Sequence, residues 1–437
     1  MHPGLRQLET QPLMQTLTIL GGGSAYTPGL LQALIAHAST LPIQTVRLYD
    51  THAEHLSIVA RLVTAMARHA GAFQIEVAPT LESAVAGADL ILNSTRPGGL
   101  AARRIDETLP LEFDIPGQET VGPGGFFFAL RSVPEALRVA NAVQALAPHA
   151  IVLNYTNPSN IVTQALVDRG GINVIGLCDQ SDEDLQTICH ALGLPSDYSF
   201  QCNGLNHATW YSDILIQGQP LTDHLKPLPA PDGLDEEHKL RFELSLALAR
   251  QNPGFWPNSY LPYYRFPKLF VAQARQVGPR SDVVAASLAR YYDHFASEGQ
   301  SATPQLRWFR GSAGFGDLAV RVIQALTAQT PQELVLNLPN LGATDAFVPD
   351  TVIETRVRVS RAGIERLPAP PIPLAYRRLA TELEQYQRLS AAAAASGDLQ
   401  AQTNALAANP LVAHHTLAKR MLERASASYD TLFRTTL

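Results

Sequence analysis

Two short segments carry side chains able to hold a metal. Cys178 follows the apolar run NVIGL in GLCDQS, and His207 lies in GLNHATW. A thiolate and an imidazole are soft to borderline ligands that suit a divalent transition metal and leave positions open for substrate. By spacing alone, one Cys and one distant His fit a buried thiol and a capping imidazole better. Tyr260, Tyr263 and Tyr264 cluster beside prolines in WPNSYLPYYRFPK. Most tyrosines so placed are packing residues. Beside a metal or another cation, one of them would ionise more easily and serve as a base.

A second set of residues suits a nucleotide. In LTILGGGSAYTPGLL an apolar run meets Gly21, Gly22 and Gly23, then Ser24. Gly21 and Gly23 can make a tight turn and let the backbone approach a pyrophosphate seated on a helix N-terminus. Tyr26 stands where the third glycine of a dinucleotide turn is usual, so its ring has to be packed against the sheet. Asp50 ends the next strand and can accept from an adenosine ribose hydroxyl. The alternative is a tight strand–helix turn with no ligand. Residues 93–132 are dense in glycine, and Arg96 among them can fork onto an anion such as phosphate. A solvated surface Arg96 is the competing description. Asn157, in NYTNPSN, can hold sugar hydroxyls or a nicotinamide ribose, or can serve turn chemistry alone.

These residues need a scaffold, and the hydrophobic pattern supplies one. Short β-rich runs (TLTIL, TVRLYD, FQIEVA, DLILNST, IVLNYTN, NVIGLCD) alternate with helical spacings over residues 15–200. Such alternation predicts an α/β fold with an N-terminal Rossmann-like, doubly wound parallel sheet. The Pro-rich stretch GQPLTDHLKPLPAPDGLDEEH then marks a boundary. Long helical patterns follow, including HKLRFELSLALARQ and RSDVVAASLARYYDHFASE. We therefore expect a disordered extension over 1–15, a nucleotide domain over 16–200, and a mainly α, α+β domain over 201–437. The Ala-rich QRLSAAAAASGDLQAQTNALAANP is expected as solvent-facing helix with a turn near Gly397.

Composition narrows the class. The chain has 437 residues, 46% hydrophobic and 16% charged, with a formal net charge of −6. That balance gives no reason to expect nucleic acid or an acidic membrane as partner. Three cysteines are too few for a secreted disulfide framework and leave at least one free thiol. No apolar run reaches membrane-spanning length, and the first residues lack the apolar core of a signal peptide. A cytoplasmic protein is expected.

Taken in order, GGGSAYTP, RPGG, GQETVGPGG, NYTNPSN, GLCD, GLNH, NSYLPYY and NLPNLGA resemble glycoside hydrolase family 4. This NAD- and metal-dependent family is an exception to two-carboxylate hydrolysis. The resemblance runs from residue 17 to about 360. It implies NAD at Gly21, Gly22, Gly23, Ser24, Tyr26 and Asp50, and a divalent metal, usually Mn²⁺, on Cys178 and His207. It also implies Tyr260 as base, Asp179 as acid, and substrate contacts from Arg96, Asn157, Asn206 and Arg280. The implied chemistry is redox-assisted elimination. The sugar is oxidised at C3, the acidified C2 proton passes to Tyr260, and the C1 group leaves with help from Asp179. Water then adds and hydride returns to C3. A homodimer or homotetramer is expected on the same ground.

Details of the motifs bear on the substrate. RPGG, NPSN and SYLPYY are most similar to the 6-phospho-β-glucosidase branch. That branch usually has Asn and Pro after the Cys, whereas here Asp179 follows, as in 6-phospho-α-glucosidases. Leu341 replaces a usual Asn, and Asp282 follows Arg280 closely. The expected substrate is thus a 6-phosphorylated β-glucoside, with the α anomer and an unphosphorylated glycoside as alternatives. Two other classes compete: a 2-hydroxy-acid dehydrogenase, which lacks a clear Arg/His motif here, and a non-catalytic NAD sensor, which would need lost catalytic groups.

Overall fold

The computed structural model describes residues 14–224, 228–310 and 313–435. Most of the expected 1–15 extension, residues 1–13, lies outside the described residues, as do 225–227 of the Pro-rich stretch.

Six short strands form the parallel part of the sheet: β1 (Thr16–Leu20), β2 (Thr45–Tyr49), β3 (Gln74–Val77), β4 (Leu90–Asn93), β5 (Ile151–Asn154) and β6 (Asn173–Gly176). They lie in the order 3-2-1-4-5-6, the doubly wound arrangement. Side chains alternate between the two faces of a strand. Leu90, Leu92, Ile151 and Leu153 therefore enter one core, while Ile91 and Val152 enter the other. Both faces are covered by helices, so β4 and β5 are buried at every residue and read as unbroken apolar runs.

The sheet does not stop at β6. It continues through seven more strands: β7 (Tyr198–Leu205), β8 (Ala208–Ile216), β9 (Gln219–Pro220), β10 (Phe255–Pro257), β11 (Gln332–Pro339), β12 (Val352–Ser360) and β13 (Gly363–Arg366). The order outward from β6 is β11-β12-β7-β8-β10, all antiparallel, with β13 on β12 and β9 on β8. The join is narrow, one residue pair between Asn337 and Gly176. The site residues gather where the parallel part meets this extension.

The Ala-rich stretch faces solvent on one side only. It forms the helices Arg377–Ser396 and Leu399–Ala407, joined at Gly397 with φ +70°. Ser390, Ala391, Ala393, Ala394, Ala405 and Leu406 are buried against the helices Gly122–Leu146 and Ser159–Ala165 and each other. Small side chains let helix backbones approach closely, so here Ala marks packing rather than exposure.

Candidate active site

Cys178 lies just beyond the carboxyl end of β6 and His207 in the turn of the β7–β8 hairpin. Leu205 pairs with Ala208, so Asn206 and His207 are the two turn residues. His207 takes φ +64°, an uncommon conformation for a side chain of this size. The turn brings His207 Nε2 to 3.6 Å from Cys178 Sγ. His207 Nδ1 lies 3.0 Å from Thr120 Oγ1, whose hydroxyl proton is given to Gln118 Oε1 at 2.8 Å. Thr120 must then accept from Nδ1–H, which leaves the Nε2 lone pair facing the thiol. Burial, with Arg241 nearby, pulls the imidazole pKa down to about 3, so the ring is neutral. Burial pushes the Cys178 thiol well up, with Glu354 and Asp179 adding to the effect.

These features fit a divalent transition metal. A neutral imidazole with its lone pair free and a buried thiol, which a bound cation would deprotonate, are the required donors. The buried Oδ1 of Asn206 has no hydrogen-bond partner. Among the described residues no three His, Cys, Asp or Glu side chains form a ready-made cluster, so a two-residue site relies on its ligand for the rest.

Tyr260 precedes the short helix Leu261–Arg265. Its ring stacks on His207, with centroids 4.0 Å apart and planes 18° apart. The buried Arg241 guanidinium lies 3.8 Å from the Tyr260 ring centroid. Arg241 is held by the Ser259 carbonyl at 3.2 Å and hydroxyl. Asp184 accepts from the Ser259 N–H at 3.0 Å and from Tyr211 at 2.9 Å. Burial raises the Tyr260 phenol and Arg241 opposes it. Tyr263 donates to Glu237 at 2.7 Å and stacks on Phe270, a packing role.

The glycine turn is built for close backbone approach. A Cβ on Gly21 would fall 2.9 Å from the Ser94 carbonyl oxygen, and one on Gly23 2.8 Å from the Leu56 nitrogen. Gly21 also takes φ +87°, which glycine alone adopts at little cost. Asp50 accepts from the Gly23 N–H and the His52 N–H, each at 2.9 Å, tying the turn to the next helix. Ser24 Oγ accepts from the Tyr26 N–H at 3.3 Å. Tyr26 is not packed on the sheet as expected. Its ring lies 5.4 Å from Phe315 and 4.9 Å from the Arg310 guanidinium, both from the second half of the chain. That half supplies the surface that a third glycine would have made unnecessary.

The remaining expected residues are more spread. Arg96 pairs with Glu119, which also binds Arg103 at 2.9 Å. Burial opposes ionisation of Glu119, yet Arg103 and Arg96 outweigh it and hold the carboxyl at about 2. Asn157 forms a cis peptide with Pro158 and accepts from the Ser159 N–H at 3.1 Å. Asp179 adjoins Cys178 and opens the helix Gln180–Leu192. Arg280 pairs with Asp235 at 2.6 Å and is partly exposed.

Three contributors are absent from the sequence expectations: Arg241, Thr120 and Glu354. Arg241 shares the buried side of its helix with Phe242, Ser245, Leu248 and Ala249. A lone Arg on an apolar stripe was the available signal.

Residues 16–192 match the family 4 glycosyl hydrolases, and residues 202–412 match the C-terminal domain of that family. The chain belongs to glycosyl hydrolase family 4. A probable 6-phospho-β-glucosidase of Bacillus subtilis is 29% identical over 423 residues, 93% of this chain and 94% of that protein. The 6-phospho-α-glucosidase 1 of Lacticaseibacillus paracasei is 28% identical, over 93% and 96%. The 6-phospho-β-glucosidase of Escherichia coli is 32% identical, over 79% of each. In fold, the chain superposes on a 6-phospho-α-glucosidase from gut microorganisms solved with NAD and Mn²⁺ (TM-score 0.86, 23% identity, 94% and 97% covered). It superposes also on a Thermotoga maritima 6-phospho-β-glucosidase solved with manganese, NAD⁺ and glucose-6-phosphate (TM-score 0.81, 24%, 95% and 99%). A malate dehydrogenase of Plasmodium falciparum reaches a TM-score of 0.54 at 11% identity. That last likeness is one of fold alone, while the family match is to the glycosyl hydrolases.

Proposed function

We propose that this family 4 enzyme hydrolyses a 6-phosphorylated glucoside, the β anomer first, by redox-assisted elimination and addition with NAD and Mn²⁺ bound. The observation that carries the reading is the pairing of Cys178 Sγ with His207 Nε2 at 3.6 Å under the stacked Tyr260 ring. A metal ligand pair and a phenol would then lie on one side of a sugar. Relatives named for 6-phosphoglucosidase activity, and solved neighbours holding NAD and Mn²⁺, support it. A phosphorylated sugar does not cross membranes unaided, so the enzyme would work in the cytoplasm.

NAD supplies reversible removal of hydride from the sugar ring, and the cation acidifies the neighbouring hydroxyls. Cys178 and His207 would hold the cation, with Thr120 keeping the imidazole proton on Nδ1. The Gly21–Gly23 turn, with Ser24 and Asp50, would take the dinucleotide. Tyr260 Oη would accept the C2 proton, and Arg241 beneath its ring would favour the phenolate. Asp179 would give a proton to the leaving oxygen at C1. Arg96, Asn157, Asn206 and Arg280 are the proposed substrate contacts.

Asp179 next to Cys178, together with relatives named as α-glucosidases, favours the α anomer as second reading. Release of p-nitrophenol from α- and β-glucosides, each with and without 6-phosphate, tests both. We expect activity on a phosphorylated substrate only, lost when NAD⁺ or Mn²⁺ is omitted, with solvent hydrogen entering at C2. Hydrolysis without NAD⁺ and without C2 exchange would overturn the reading.

A further inference from the structure

A fully buried carboxylate behind the His207 turn has no part in the chemistry above. Glu354 is the third residue of β12, its Cα opposite Gly204 of β7 and Asn337 of β11. Glu354 Oε1 accepts from Asn206 Nδ2 at 2.7 Å, and Oε2 accepts from Thr209 Oγ1. One carboxylate therefore holds a residue of the turn, Asn206, and a residue of the strand that leaves it, Thr209. Because it accepts, it must face the amide nitrogen of Asn206. The amide cannot flip, and Oδ1 is left as the buried atom without a partner.

When ionised, it has no cation as partner. Among the described residues Glu354 forms no ion pair, and the polar groups around it, Asn206, Thr209 and Asn337, are neutral. Asp184 and the Cys178 and Cys202 thiols lie within electrostatic reach and supply no positive charge. Burial pushes its carboxyl up to about 7. A buried carboxylate without a cation is costly unless something nearby completes the balance. The neighbour able to do so is the Cys178–His207 site.

We propose that Glu354 is a positioning residue for that site: it locks the Asn206–His207 turn and supplies the negative charge that a divalent cation on Cys178 and His207 balances. The proposal rests on the metal-site reading given above. It makes an unusual prediction for a buried charge: removing it should spare the metal-free fold and impair cation binding.

The test is Mn²⁺ titration of the full chain, read by the EPR signal of free Mn²⁺, beside thermal unfolding without metal at pH 8. Glu354→Gln should weaken Mn²⁺ binding by about 10- to 100-fold, the usual cost of losing a residue that orients a metal ligand. Its metal-free Tm should equal or exceed that of the unaltered protein. Glu354→Asp keeps the charge but withdraws it by one methylene, and should weaken binding by about tenfold; it serves if the Gln variant does not fold. Unaltered Mn²⁺ affinity in the folded variants, with Cys178→Ser losing the metal, would overturn the proposal alone. Unaltered affinity in Cys178→Ser would overturn the metal-site reading and this proposal with it.

Discussion

The neighbours of His207 decide where its imidazole proton sits. Thr120 has one hydroxyl proton and gives it to Gln118, so the Nδ1 proton has an acceptor and Nε2 faces Cys178. Tyr260 depends on its surroundings in the same way. Its phenol is buried, and the cation beneath its ring is what opposes that burial. Tyr260→Phe keeps both stacks and removes only the oxygen. We expect turnover to fall by about 10²- to 10⁴-fold, the range for losing a positioned base. Exchange of the substrate C2 hydrogen with solvent should vanish, while Mn²⁺ affinity stays unaltered; NMR of the sugar in D₂O and metal titration check the two halves. At this scale the sequence marked Cys178, His207 and Tyr260 through their motifs, and the structure brings the three together. Arg241 and Glu354 act through contacts across long stretches of chain. Glu354 sits in the alternating TVIETRVRVS, where a carboxylate is ordinarily expected on a solvated face.

At the scale of elements, the segment before the helix Gly122–Leu146 explains the dense glycines of GQETVGPGG. A Cβ on Gly124 would fall 2.3 Å from the Gln118 carbonyl oxygen and 2.5 Å from that of Asp106. The loop is folded tightly on itself and on the helix Gly99–Thr108. That compaction puts Gln118 and Thr120 behind His207 and Glu119 between Arg96 and Arg103. Gly124→Ala should therefore cost about 1–3 kcal/mol, as overpacking in a dense region does. It should also weaken Mn²⁺ binding, because the Thr120–His207 contact moves with the loop. A lowered urea midpoint with wild-type metal affinity would separate the loop's packing role from its role at His207. Composition marked this stretch as unusual, but which backbone atoms crowd each glycine is set by helices distant in the chain. The Ala-rich stretch was misjudged for a related reason. Alanine carries no strong exposure signal, and only the partner helices reveal which side of it is buried.

Across the whole molecule, a parallel nucleotide sheet is lengthened by antiparallel strands, and the candidate chemistry sits at their junction. The parallel arrangement was legible because the short β-rich runs up to β6 alternate with helices. The extension was not, since β7 and β8 join the sheet through β11 and β12, which come more than a hundred residues later. The last helix, His415–Thr435, returns to the first half in a similar way. Tyr429 donates to the buried Asp106, which also takes two bonds from Arg131, at 3.0 and 2.6 Å. Arg424 forks onto Glu112 on the same side, both bonds at 2.8 Å. The exposed Arg424 pair is worth little by itself, so the buried Tyr429 bond is the stronger tie. Asp106 belongs to the helix that carries Arg103 and that Gly124 packs on, so we expect the tie to bear on the site through stability. Tyr429→Phe should cost about 1–3 kcal/mol, because a buried acceptor loses a donor. Amide exchange over 415–435 should quicken, while the substrate KM and Mn²⁺ affinity stay unaltered. A KM that rose without faster exchange in that helix would mean that the last helix shapes the site directly rather than holding the scaffold together.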